Sequence, residues 1–166
     1  SFFSRHVIDR LIIAVTGIAV LFAVSLAATA ADAPARTFKL TAESPRFWKL
    51  FDRNAQLTRV AGDFGFTEGP VWDESGFLYV SDEVQNKIFR VYPDGRTNPF
   101  AEIRDPDGTT FDARGRLIAC ASQLRVVAEI AKDGTYKVIA DKYEGSKFNS
   151  PNDIVLGPDG ALYFTD

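Results

Sequence analysis

The rhythm of apolar and polar positions changes once along this chain. From Leu11 to Ala31 no charged residue interrupts the sequence, whereas beyond it short apolar runs alternate with polar turns. Three later segments share one pattern: "VWDESGFLYVSD" (71–82), "TFDARGRLIACA" (110–121) and "VLGPDGALYFTD" (155–166). Each reads as an apolar strand, a polar turn ending in glycine, and a second apolar strand. The marker glycines Gly76, Gly115 and Gly160 lie 39 and 45 residues apart, and a second pair, Gly95 and Gly134, is again 39 apart. Turn signals at this density predict antiparallel hairpins, and a period near 40 with four strands per unit predicts propeller blades. The strands fall near 70–73, 77–81, 87–92 and 97–101 in the first blade, and near 109–112, 116–121, 125–130 and 135–140 in the second. The runs "FLYV", "LIAC" and "ALYF" are apolar at successive positions, as required of a sheet covered on both faces by neighbouring blades. A β-sandwich also supplies short strands and turns, but it demands no fixed period.

The predicted fold class is therefore all-β. A propeller ring closes with four to eight blades, and the roughly 135 residues after the N-terminal apolar run hold about three, the third begun by "NSPNDIVLGPDGALYFTD". With no methionine in it, the chain reads as the N-terminal part of a longer product whose remaining blades follow Asp166. Ahead of the blades, "SPRFWKLFD" predicts a short helix with Ser44 as N-cap and Pro45 at its first position, able to pack Phe47, Trp48 and Phe51 on the ring. "QLTRVA" (56–61) predicts an outer strand that completes the last blade and fastens the circle, its partners being absent from these residues, and Trp72 is expected in the core.

Arg5 and Arg10 preceding the uncharged run have the grammar of an export signal, with Ala28 and Ala30 as the small residues before cleavage. The domain reading is thus 1–30 signal peptide or anchor, 31–55 linker with a short helix, and 56–166 the N-terminal part of the propeller, in a periplasmic or secreted protein. Membrane contact is expected only where the segment is retained as an anchor, since about 20 apolar residues span a bilayer. Beyond residue 30, 17 Lys plus Arg face 21 Asp plus Glu without basic clusters, so nucleic acid is not expected as a partner. Cys120, the single cysteine, sits in "RLIACA" and reads as a buried apolar residue. The single histidine, His6, lies in the export segment. The rest of the chain therefore offers no imidazole base, no Ser-His-Asp triad and no histidine ligand for zinc.

Chemistry is left to carboxylates, amides and a hard metal. Eight positions before each marker glycine stands a polar residue: Glu68 in "EGP", Asp107 in "PDG" and Asn152 in "PND". The matched register puts the three at one equivalent position in successive blades, next to the innermost strand and at the mouth of the central channel. Converging Glu and Asn oxygens suit Ca²⁺ or another hard divalent cation; the competing reading makes Glu68 and Asn152 turn caps. Asp73, Asp112 and Asp159 read as turn residues. "DPDGTTFDARG" is not an EF-hand loop, because its sixth position is Thr110 where the sharp turn needs glycine. The six extra residues of the second interval fall in or near "DKYEGSKFNS", a loop expected to form part of the channel mouth.

"FTEGPVWD", "DGTTFDARGRLIAC", "DKYEGSKFNSPND" and "DGALYFTD", in this order, resemble the senescence marker protein/gluconolactonase family from about residue 56 onward. The resemblance implies a six-bladed β-propeller with one divalent cation, usually Ca²⁺, in the channel, and a lactone-opening activity. It also implies that Glu68 and Asn152 are metal ligands. The third ligand, an Asp usually assigned the general-base role, would lie beyond residue 166. Asp107 stands where many relatives have Asn, and is expected to bind substrate hydroxyls or position water. Ala121 and Ser122 stand where relatives often have an acidic residue and His. The expected function is a Ca²⁺-dependent hydrolase opening a small-molecule, sugar-type lactone, the cation polarising the carbonyl for water attack. The alternatives are a secreted, calcium-stabilised ligand- or protein-binding propeller, and an esterase or phosphotriesterase on the same scaffold. With one ligand and the base missing, the 166 residues alone are expected not to catalyse.

Overall fold

The structure, a computed structural model, describes residues 38–166. The signal-peptide reading of residues 1–30 lies outside the described residues, and so does the start of the linker. The chain divides into two compact units at Leu57/Thr58. In the first, the short helix is a 3₁₀ helix, Pro45–Lys49, whose N-cap Ser44 accepts a hydrogen bond from the Arg46 amide at 3.2 Å. Proline at its first turn costs nothing there, because that N–H has no intrahelical partner in any case. Phe47 packs edge-on against Trp48 and stacks on Phe51, with ring centroids 5.1 and 5.0 Å apart.

The second unit holds two complete antiparallel meanders. The first blade comprises β1 (Thr67–Asp73), β2 (Phe77–Asp82), β3 (Lys87–Val91) and β4 (Thr97–Glu102), hydrogen-bonded in that order. The second repeats it as β5 (Pro106–Phe111), β6 (Leu117–Ala121), β7 (Val126–Ile130) and β8 (Tyr136–Ala140). A third unit begins with β11 (Ile154–Leu156) and β12 (Leu162–Phe164), preceded by the small hairpin β9 (Lys142–Tyr143) and β10 (Ser146–Lys147). The turns behave as the repeat requires. Asp73, Asp112 and Asp159 each accept a backbone N–H two residues on, at 2.8 to 3.1 Å, and the following Gly76, Gly115 and Gly160 take positive φ.

Two apolar clusters cover β6 from opposite sides. Leu117, Ala119 and Ala121 join Phe77, Tyr79, Ile88 and Ile130 between the first two blades. Ile118 and Cys120 join Val127, Phe148 and Ile154 on the other face. All five residues of β6 are buried, which accounts for its unbroken apolar run. The Cys120 thiol is fully buried, and burial pushes its pKa up to about 12, so it is an inert core residue.

Residues 56–61 are in no strand, the partner strands expected for them not being among the described residues. Two expectations need correction. Trp72 is 53% exposed, because Val71 beside it points into the cluster between the first two blades and alternation along the strand turns Trp72 to the other face of the sheet. The segment "DKYEGSKFNS" is not an open loop, because Glu144 and Gly145 both take positive φ and close the β9–β10 hairpin. Among the described residues, no helix is long and apolar enough to cross a membrane.

Candidate functional site

Glu68 and Asp107 lie inside β1 and β5 rather than ahead of them. The register with the second strand slips just after Glu68, between it and Val71, and across Asp107, between Pro106 and Thr109. The slip is a bulge, and a bulge re-aims the strand at its position. Asn152 precedes β11. The three segments touch through their backbones. Gly69 has φ of +49°, and a Cβ there would come within 2.3 Å of the Asp107 carbonyl oxygen; a Cβ on Gly108 would come within 2.8 Å of the Asn152 carbonyl. Each glycine following a site residue thus lets the next blade's strand approach. Thr109 Oγ1 donates to the Gly69 carbonyl at 2.5 Å, and the Gly108 amide to the Asn152 carbonyl at 2.8 Å, so the three starts are laced in sequence.

The side chains differ in setting. Glu68 is half-buried, and its carboxylate accepts only the neighbouring Gly69 amide, at 3.3 Å. Asn152 is exposed. Asp107 is 3% exposed. Burial, then a hydrogen bond to Glu83 and the negative charges of Glu83, Asp105 and Glu68, push its pKa up to about 8. Burial and neighbouring acids thus favour the neutral form of this carboxyl.

Two further side chains, Glu83 and Ser122, lie around Asp107, and neither is among the candidates singled out by the spacing of Glu68, Asp107 and Asn152. Glu83 follows Glu68 by fifteen residues and Ser122 follows Asp107 by fifteen, so both occupy the position just after the second strand of their blade. The repeat that aligned Glu68, Asp107 and Asn152 aligns these two as well. The Ser122 hydroxyl stands between two acceptors, Asp107 Oδ2 and the Pro151 carbonyl at 2.8 Å. Near it, the base of the β9–β10 hairpin is tied down by the Arg125 guanidinium, which donates to the Phe148 carbonyl.

Asp82 and Asp166 support the site from behind. The Asp82 carboxylate is fully buried and accepts the amides of Gly65, Phe66 and Gln85 and the Gln85 side chain, at 2.7 to 3.4 Å. Burial alone would raise its pKa, but these hydrogen bonds hold it below the ordinary carboxylate range. Asp166 accepts the amides of Asn149 and Ser150 at 2.9 and 2.8 Å. In both cases the amides lie 17 and 16 residues before the carboxylate, just ahead of Glu68 and Asn152.

Among the described residues no group of three or more His, Cys, Asp and Glu side chains is placed to hold a metal ion. The donor chemistry nonetheless fits a hard cation. Glu68 and Asn152 offer oxygen, the only thiol is buried, and the neighbours that dominate Asp107 are acids. The like charge crowded at the strand starts is what a divalent cation would offset.

The profile of the SMP-30/Gluconolactonase/LRE-like region matches residues 66–166. A gluconolactonase of Zymomonas mobilis subsp. mobilis is 31% identical over 144 residues, covering 77% of this chain and 40% of that protein. Among solved structures, an X-ray structure described as a gluconolactonase superposes with TM-score 0.67 at 37% identity, covering 74% of this chain and 43% of its own. A gluconolactonase from Xanthomonas campestris gives TM-score 0.59 at 31% identity, covering 62% of this chain and 35% of its own. An inactive virginiamycin B lyase variant from Staphylococcus aureus, TM-score 0.51 at 21% identity, shares the fold alone. The chain spans about two fifths of the length of these relatives.

Proposed function

The chain belongs to the SMP-30/gluconolactonase/LRE-like family, and from that premise we propose that the protein is a calcium-dependent lactone hydrolase acting on sugar-type lactones. The observation that carries the reading is the lacing of Glu68, Asp107 and Asn152 at the starts of three successive inner strands. In this reading Glu68 and Asn152 hold the cation, which when bound polarises the lactone carbonyl. Asp107, enclosed beside Glu83 and Ser122, orients a substrate hydroxyl or a water. Water adds to the carbonyl carbon, the ring C–O bond breaks, and the products are a carboxylic acid and an alcohol. The base that takes the water's proton belongs, by family resemblance, to sequence other than these residues. Export of the protein is part of the same proposal, resting on Arg5, Arg10 and the uncharged run that follows.

Calorimetry on the full-length protein tests the metal assignment. Glu68→Gln is expected to weaken calcium binding by about a hundredfold or more, since even supporting residues of metal sites cost 10- to 100-fold. Unchanged affinity removes Glu68 from the site. The burial of Asp107 favours a second reading, a calcium-stabilised binding propeller: tight calcium binding without turnover of any lactone would select it.

A further inference from the structure

The three strand starts are not held alike. Those of the first and third units are clamped by a carboxylate at the end of the second strand, Asp82 or Asp166, on the amides 17 and 16 residues earlier. The equivalent of Asp82 in the second blade is Ala121, which is fully buried and has no acceptor to offer. The amides it would have clamped belong to Arg104 and Asp105. The Asp105 amide instead donates to Asn86 Oδ1 of the first blade at 2.9 Å. One residue beyond Ala121, the buried Ser122 hydroxyl reaches Asp107 itself and the Pro151 carbonyl, whose peptide leads directly into Asn152.

We propose that Ser122 is the positioning residue of the second blade, holding the Asp107 side chain and tying it to the peptide ahead of Asn152 in place of the strand-end clamp. Four observations converge on this. The clamp is missing only where Ser122 bridges. Ser122 is repeat-equivalent to Glu83, the other side chain that meets Asp107. Both acceptors of its hydroxyl are buried. The two residues it joins come from consecutive units, so its loss loosens one against the other, which a local turn cap would not do. The role acts through Asp107 and not on the reacting atoms.

The kinetic part of the test rests on the lactonase reading, and the backbone part does not. Full-length wild type, Ser122→Ala and Ser122→Thr are compared, with Ser122→Cys as the donor-retaining variant should threonine's methyl prevent folding. With glucono-δ-lactone and proton release as the assay, Ser122→Ala is expected to raise KM three- to tenfold, about the worth of one hydrogen bond, with a smaller change in kcat. The hydroxyl-bearing variant restores it. A merely structural role would lower the folded fraction and leave the KM of the folded enzyme alone. Exchange of the Gly108 amide, bonded to the Asn152 carbonyl, is read in parallel and should quicken several-fold in Ser122→Ala only. If wild type does not turn over the lactone, the functional reading fails and the Gly108 amide decides Ser122. Unchanged Gly108 exchange in Ser122→Ala, or an unchanged KM in an active enzyme, overturns the proposal.

Discussion

The first and second blades match strand for strand and share a bulge at the site residue, yet their inner strands are held by different means. Asp82 gathers four hydrogen bonds within the first blade. The second blade has Ala121 there, and the start of its inner strand leans on Asn86 from the blade before and on Pro151 from the segment after. The acids at the equivalent position diverge accordingly: Glu68 is half-buried, whereas Asp107 is enclosed. A sequence repeat thus guarantees equivalent backbone positions, but not equivalent support or charge state. The second blade keeps the carboxyl at the site and lacks the one at the clamp.

The sharpest way to break this comparison is to remove the first blade's clamp. Asp82→Ala leaves the Gly65 and Phe66 amides and the Gln85 side chain without their acceptor, and should lower unfolding free energy by about 3–5 kcal/mol in urea titrations. A loss under about 1 kcal/mol would mean that the clamp is ornamental and the blades equivalent after all.

The next effect belongs to Asp107. A carboxyl whose pKa is raised from 3.8 to about 8 on folding binds an extra proton in the native state. The resulting stability is fully present below about pH 4 and is lost as pH rises through 8, because the unfolded chain then ionises where the folded one resists. In EDTA, that loss should be on the order of 3 kcal/mol between pH 5 and pH 7, and Asp107→Asn should flatten the slope. Equal slopes in wild type and variant would remove Asp107 as its source.

The smallest effect sharpens the likeness between the first and third units. Asp166 makes the same two backbone contacts as Asp82, which gathers two further bonds from Gln85. Asp166→Ala should cost about 1–2 kcal/mol by the same urea measurement. A cost equal to that of Asp82→Ala would show that the Gln85 bonds add nothing to a clamp.

The all-β class, the blade period and nearly every strand were legible in the sequence because turn chemistry is local. Asp73, Asp112 and Asp159 with their glycines set the hairpins wherever the strands end up. The unbroken apolar run of β6 also announced two covered faces, since a strand wetted on one side would alternate. By the same register argument Glu68, Asp107 and Asn152 could be singled out from spacing alone. Spacing could not say that Trp72 would be half exposed, because cover depends on what packs against each face of the sheet. Nor could it say that Asp107 would be enclosed while Glu68 stayed half-wet. That difference depends on Glu83, Ser122 and Pro151, which lie 24, 15 and 44 residues from Asp107. Pairing of β5 with β6 brings Ser122 to Asp107, and only the stacking of blades adds Glu83 and Pro151 around them; desolvation and like charge act through space and not along the chain.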